Sequence, residues 1–79
     1  MPGERKPTEG EWRVGVDFNP SGNPQVADIK GRVASLIDDL QLIANDREHP
    51  GARCAAMACT ELESAAMWAV KAVTKRARE

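Results

Sequence analysis

Two groups of side chains in this 79-residue chain have the types and spacing to hold an anionic ligand that carries a base. In the first group, two cations and two hydroxyls are spaced 7, 4 and 7 residues apart, which places them on one line of a helix, opposite Leu62. They are Arg53, Thr60, Ser64 and Lys71. Cations beside hydroxyl donors suit a phosphate, because charge-assisted hydrogen bonds are the strong ones. An ordinary solvated helix face is the alternative interpretation.

The second group lies in the N-terminal third of the chain. Phe18, Asn19 and Pro20 precede a predicted helix that carries Lys30 and Arg32. An aromatic ring offers a face on which a base can stack, and a neighbouring cation can close the other side. Simple core packing of Phe18 is the alternative.

The composition narrows the class of partner. Eleven Lys and Arg against twelve Asp and Glu give a net charge of −1, too weak a field for a protein that binds a DNA or RNA polymer. No apolar run approaches the ~18 residues that span a bilayer, so no membrane association and a cytoplasmic location are expected. One His and two Cys are too few ligands for a metal site, and no cofactor or catalytic residue is predicted.

The residue pattern predicts an all-α fold, an antiparallel two-helix hairpin with a short extended N-terminal arm. Residues 1–11 are rich in charge, Gly and Pro and are predicted to be a disordered tail, and residues 12–79 form the hairpin domain. Apolar residues alternate over 12–18, which favours an extended arm. Asn23 before Pro24 predicts a helix over about 24–45, and a second follows the Pro50-Gly51 break over about 52–78.

Each predicted helix carries a heptad-spaced seam through which the two should pack. The seam of the first is Val26, Ile29, Val33, Leu36, Leu40 and Ile43, and that of the second is Ala55, Ala58, Leu62, Ala65, Ala69 and Ala72. Met57, Met67 and Trp68 fall ~120–140° from the centre of the second seam and need another surface to cover them. The chain is therefore predicted to be a homo-oligomer, a monomer with an exposed Trp patch being the alternative.

Two stretches resemble a known family. The run FNPSGNP at 18–24 with the following VADIK, and the run ACTELESAAMWAVKAVT at 58–74, are similar to the helical-hairpin family of phage anti-defence proteins. Those proteins are sponges that sequester the nucleotide signals of the Thoeris and CBASS systems. The resemblance covers residues 13–76. It implies a homohexamer in the cytoplasm of an infected bacterium, binding cyclised ADP-ribose, cyclic dinucleotides or cyclic trinucleotides between protomers without cleaving them.

The resemblance also implies roles for individual residues. Phe18, with Lys30 or Arg32 from a neighbour, stacks on a base, Thr74 reaches phosphates, and Arg53 resembles the arginine of a separate pocket for larger cyclic oligonucleotides. Two other classes remain open: an enzyme that hydrolyses such nucleotides, and an inhibitor that covers a protein partner with its Met57, Met67 and Trp68 surface.

Overall fold

The computed structural model describes residues 6–20 and 22–76, and within these residues it contains three helices and no strand. They are α1 (Glu9–Val14), α2 (Pro24–Ala44) and α3 (Ala52–Thr74). Cys59 of α3 contacts Ile37 of α2, and Val70 lies near Val26, so α2 and α3 run antiparallel. The predicted all-α hairpin is therefore confirmed.

Local sequence signals place both ends of α2. The Asn23 side chain caps the helix by accepting from the backbone N–H groups of Gln25 (2.8 Å) and Val26 (3.3 Å), and Pro24 occupies the first turn. The helix ends at Ala44, one residue before the predicted end.

The last helix is shorter than predicted, because α3 ends at Thr74 rather than near residue 78. Lys75 is already extended, and both it and Arg76 are exposed. Without a packed face, one further helical turn has no burial to offset the entropy of ordering it. Residues 77–79 lie outside the described residues.

The prediction of an extended arm over 12–18 is wrong, because residues 9–14 form α1 and a turn follows. Thr8 and Glu11 make a reciprocal cap: the Thr8 hydroxyl accepts from Glu11 N (3.1 Å) and the Glu11 carboxylate accepts from Thr8 N (3.0 Å). Gly15 ends the helix with φ 65°, a left-handed conformation that glycine adopts without strain. These capping interactions override the two-residue alternation of apolar side chains. The helix also begins inside the segment 1–11 predicted as disordered; residues 1–5 of that segment are not described.

Helix α1 packs closely on α2 through a glycine. Gly10 is buried, and its N–H donates to Asp38 Oδ1 at 2.8 Å. A Cβ at this position would lie 2.0 Å from the carbonyl oxygen of Ala34, so only glycine permits the approach.

The buried face of the hairpin is rotated from the predicted seams. Val26 and Ala55 are buried as predicted, but Leu36 is 47% exposed whereas Ile37 is fully buried. The remaining buried residues are Lys30, Ala34, Cys59 and Ala66. The heptad pattern assumes one partner per helix, whereas α2 packs against both α1 and α3, so its core face lies between the two. None of the described helices is long and apolar enough to cross a membrane.

Candidate functional site

The ring of Phe18 stands out from the segment that joins α1 to α2. It is 72% exposed, although the backbone that carries it is tightly held. Phe18 N donates to the Gly15 carbonyl at 2.9 Å, and the Asn19 side chain closes the next turn by bonding both Asn23 N (3.1 Å) and Asn23 O (2.8 Å). The ring is therefore presented by a fixed backbone and is not part of the core.

The Lys30 side chain of α2 holds the segment that joins α1 to α2. The residue is only 7% exposed, and its Nζ donates to the carbonyl oxygens of Gly15 (3.0 Å) and Phe18 (2.5 Å). The same ammonium lies 5.5 Å from the centroid of the Phe18 ring, a cation–π contact. Lys30 therefore contacts the Phe18 of its own chain and holds a buried positive charge beside the exposed ring.

Two pockets of about 290 Å³ each meet at Phe18, and Phe18, Lys30 and Val70 line both. The one we call the Asn19 pocket is completed by Asn19, Pro20, Val26 and Thr74. The other, the Glu63 pocket, is completed by Arg13, Val14, Gly15, Glu63, Ala66 and Met67. Both are open, mostly apolar and flanked by the same buried cation, a combination that suits a base-bearing anion.

An ion pair forms part of the lining of the Glu63 pocket. Arg13 Nε donates to Glu63 Oε1 at 2.9 Å, and its terminal nitrogens make longer contacts of 3.5 Å to Gln41 and Thr60. The hydrogen bond to the Glu63 carboxylate raises the pKa of Arg13 above its ordinary value, outweighing the opposing effect of burial. Arg13 thus connects α1 with both helices of the hairpin.

Arg13 was not predicted as a site residue, because the arm was expected to be extended. The sequence did contain a signal for it: Thr8 and Glu11 have the spacing of a capping box, which predicts a helix and places Arg13 on it.

The structure brings some of the predicted ligand residues together and leaves others apart. Phe18, Asn19, Pro20, Lys30 and Thr74 all line the Asn19 pocket, where the Thr74 hydroxyl donates to Val70 O at 2.8 Å.

The other four predicted ligand residues line neither Phe18 pocket. Arg32 is exposed and pairs with Asp28 at 3.2 Å, and Arg53 is exposed at the start of α3, far along the helix from Phe18. Thr60 donates to the Ala56 carbonyl (3.3 Å) and contacts Arg13. Lys71 lies on the outer face of α3, 5.4 Å from the Trp68 ring.

The hydrophobic residues predicted to lie off the hairpin seam are exposed. Met57, Met67 and Trp68 are 59%, 67% and 67% exposed, respectively. Trp68 lines a third, shallower pocket of about 250 Å³ with Lys71, Ala72 and Lys75. In the described residues, no three His, Cys, Asp or Glu side chains cluster to hold a metal ion.

The segment made of α1 and the turns that follow it, up to Asn23, is called the arm below. The fold and this site together define a helical hairpin whose arm presents an aromatic ring between two small pockets. A family model described as the Acb2/Tad1 hairpin domain matches residues 11–74, most of the chain. The protein belongs to this family, the phage anti-defence nucleotide sponges, and the resemblance stated from the sequence is confirmed. No curated protein and no solved structure matches the chain.

Proposed function

We propose that this protein binds cyclic nucleotide immune signals and holds them without cleaving them. The ligands are cyclised ADP-ribose, cyclic dinucleotides or cyclic trinucleotides, and their capture in the host cytoplasm prevents activation of Thoeris or CBASS effectors. The observation that carries the proposal is the exposed Phe18 ring, fixed over the buried Lys30 ammonium between two base-sized pockets. Membership of the anti-defence family supports it.

Phe18 and Lys30 contact different parts of the proposed ligand. The ring supplies a stacking face for a base, a contact worth about 1–3 kcal/mol. An ammonium group has three N–H donors, and two of those on Lys30 go to carbonyl oxygens. The third is directed to a phosphate of the ligand, where burial strengthens the attraction by excluding water.

An assembly of protomers would complete these open pockets. Members of the family form oligomers, and six chains is the number we propose here. Met67 lines the Glu63 pocket and is also one of the exposed hydrophobic residues. A neighbouring protomer that covers Met57, Met67 and Trp68 would therefore extend the wall of the pocket and bury more of the ligand.

The described pocket residues favour retention over hydrolysis. Lys30 is engaged by two carbonyl oxygens, and one oxygen of the Glu63 carboxylate is engaged by Arg13. A general acid or base must instead be positioned to exchange a proton with the reacting group.

The exposed Arg53 gives a second, separate part of the proposal. It lies at the opposite end of α3 from Phe18 and has no bonded side chain among the described residues. We assign it to a site for larger cyclic oligonucleotides, formed where copies of this end of the hairpin meet.

The experiment is a capture and release assay. The protein is incubated with cyclic di-GMP, cyclic di-AMP, a cyclic trinucleotide or cyclised ADP-ribose, freed of unbound ligand and heat-denatured, and the supernatant is analysed by mass spectrometry. Release of intact nucleotide supports the sponge, and a cleaved product would indicate an enzyme. No retained nucleotide would favour the second candidate, an inhibitor that uses the exposed Met57, Met67 and Trp68 surface to cover a protein.

A further inference from the structure

We propose that the Glu63 pocket reads the identity of one base and prefers guanine to adenine. This inference rests on the proposed function, because it takes the ligand to be a cyclic nucleotide. It concerns Glu63, which none of the sequence patterns assigned to a ligand.

The Glu63 carboxylate is held in place and keeps acceptor capacity on both oxygens. Its Oε1 accepts one hydrogen bond, from Arg13 Nε at 2.9 Å, and has a second lone pair, whereas Oε2 accepts no hydrogen bond within residues 6–20 and 22–76. The Arg13 side chain is only 17% exposed and also contacts Gln41 and Thr60, so the group that orients the carboxylate is itself held. The Glu63 side chain is 41% exposed and lines the pocket, so a ligand can reach it.

A carboxylate distinguishes the two purines by hydrogen bonding alone. Guanine presents two neighbouring donors on its Watson–Crick edge, N1–H and N2–H, which match the two acceptor oxygens of an ionised Glu. Adenine presents a donor at N6 but an acceptor at N1, which would face a carboxylate oxygen with no proton between them. The carboxylate therefore favours guanine and penalises adenine, as pairings of acidic side chains with base donors do elsewhere.

The walls of the pocket suit a flat ring. Phe18, Met67 and Val70 are apolar and line the same pocket as the ion pair. At about 290 Å³ the pocket lies at the lower limit of ordinary small-molecule sites, which span about 300–1,000 Å³. This pocket accordingly binds one base, and the rest of the ligand extends past Phe18 to the Asn19 pocket. The described lining of the Asn19 pocket contains no carboxylate.

The charges of the pocket allow the Glu63 carboxylate to contact the base of an anionic ligand. Arg13 and Lys30 both line it, so the one negative charge of Glu63 is exceeded by two positive charges. A phosphate next to the base therefore meets a net positive site.

The test compares cyclic di-GMP with cyclic di-AMP as probes, by titration calorimetry on the full chain. The wild-type protein should bind cyclic di-GMP about tenfold more tightly or better. Glu63→Gln keeps the size of the side chain and an oxygen for Arg13, but it presents one acceptor and one donor, which match adenine. This variant should lose about tenfold in affinity for cyclic di-GMP and keep or improve its affinity for cyclic di-AMP, so the preference inverts.

Glu61→Gln is the matched control, because Glu61 is exposed two residues away on α3 and lines none of the three pockets. It should leave both affinities unchanged. The wild-type preference is itself a measurement that needs no variant, so a poorly folded Glu63→Gln protein would not leave the inference open.

Equal wild-type affinities, or a preference for adenine ligands, would overturn the inference and leave the proposed function standing. An unchanged preference in a folded Glu63→Gln variant would do the same. Failure of the wild-type protein to retain any candidate nucleotide would overturn the proposed function as well.

Discussion

Lys30 and Phe18 are joined twice, since the Lys30 ammonium lies 5.5 Å from the centroid of the Phe18 ring and also donates to the carbonyl oxygen of the same residue. One buried side chain of α2 thus sets both the backbone and the ring of an arm residue twelve positions earlier in the chain. The proposed ligand site and the packing of the arm therefore depend on the same interaction. Variants that change only the ring or only the ammonium separate the effect on nucleotide binding from the effect on stability.

Replacing Phe18 by Ala should weaken nucleotide binding and spare the fold. Loss of a stacking face should cost about 1–3 kcal/mol of affinity. Because the ring is 72% exposed, the melting temperature should change little. Calorimetry and thermal denaturation on the same variant measure the two quantities.

The matched control for Phe18 is Trp12→Ala. Trp12 is an aromatic residue of equal exposure, 72%, that lines none of the three pockets. Its loss should leave affinity unchanged. A large fall in melting temperature for Phe18→Ala, with affinity retained by the folded fraction, would place Phe18 in the core and outside the site.

Replacing Lys30 by Met should release the arm. The Phe18 carbonyl oxygen would lose its Lys30 donor and the Gly15 carbonyl oxygen would keep only the Phe18 amide, and the loss of a hydrogen bond to a charged group costs about 1.5–3 kcal/mol of folding free energy. Nucleotide affinity should fall with it. Hydrogen exchange should become faster at the Phe18 amide, which bonds Gly15 in the turn that Lys30 holds.

Arg32→Met is the control on the same helix. Arg32 is exposed and pairs with Asp28 one turn away, an interaction worth about 0.3–0.5 kcal/mol. If Lys30→Met and Arg32→Met behaved alike in stability and exchange, Lys30 would not be the anchor of the arm.

Gly10→Ala should detach α1 from the hairpin. The added Cβ would lie 2.0 Å from the Ala34 carbonyl oxygen, and relieving such a clash by backbone movement costs about 1–3 kcal/mol. Gly31→Ala in α2 is the opposite case, because a Cβ there meets no atom within 4 Å. It should raise the free energy of unfolding by about 0.5–1 kcal/mol, the gain from replacing glycine inside a helix. Denaturant unfolding measures both effects, and equal stabilities of the Gly10→Ala and wild-type proteins would contradict the prediction.

Trp68→Glu should break or prevent assembly. The wild-type protein should elute as a multimer, with six chains the expected number, because its exposed hydrophobic residues need a partner surface. The new carboxylate, beside Met57 and Met67, would be buried in such an interface without a partner. Light scattering gives the mass directly, and a well-folded wild-type monomer of 8.6 kDa would contradict the prediction.

The sequence alone determined where α2 and α3 begin. Asn23 and Pro24 cap the first of these helices, and Pro50 with Gly51 separates them, so both boundaries depend on residues that are neighbours in the chain. Five of the residues that line the Asn19 pocket, Phe18, Asn19, Pro20, Lys30 and Thr74, were predicted as ligand residues, and their role in binding stays a prediction. The capping box of α1, Thr8 with Glu11, is equally local and predicts a helix, but the apolar alternation over 12–18 favours an extended arm instead.

Only the tertiary structure decided which faces are buried and what the arm contacts. Helical spacing fixes the angle between side chains, but the face that becomes the core depends on how many elements pack against the helix. With α1 seated on α2 through Gly10, the core passes through Ala34 and Ile37 and leaves Leu36 half exposed. The same packing buries Lys30 beneath Phe18 and joins Arg13 to Glu63 across fifty residues, since both contacts arise from the folded positions of separate elements.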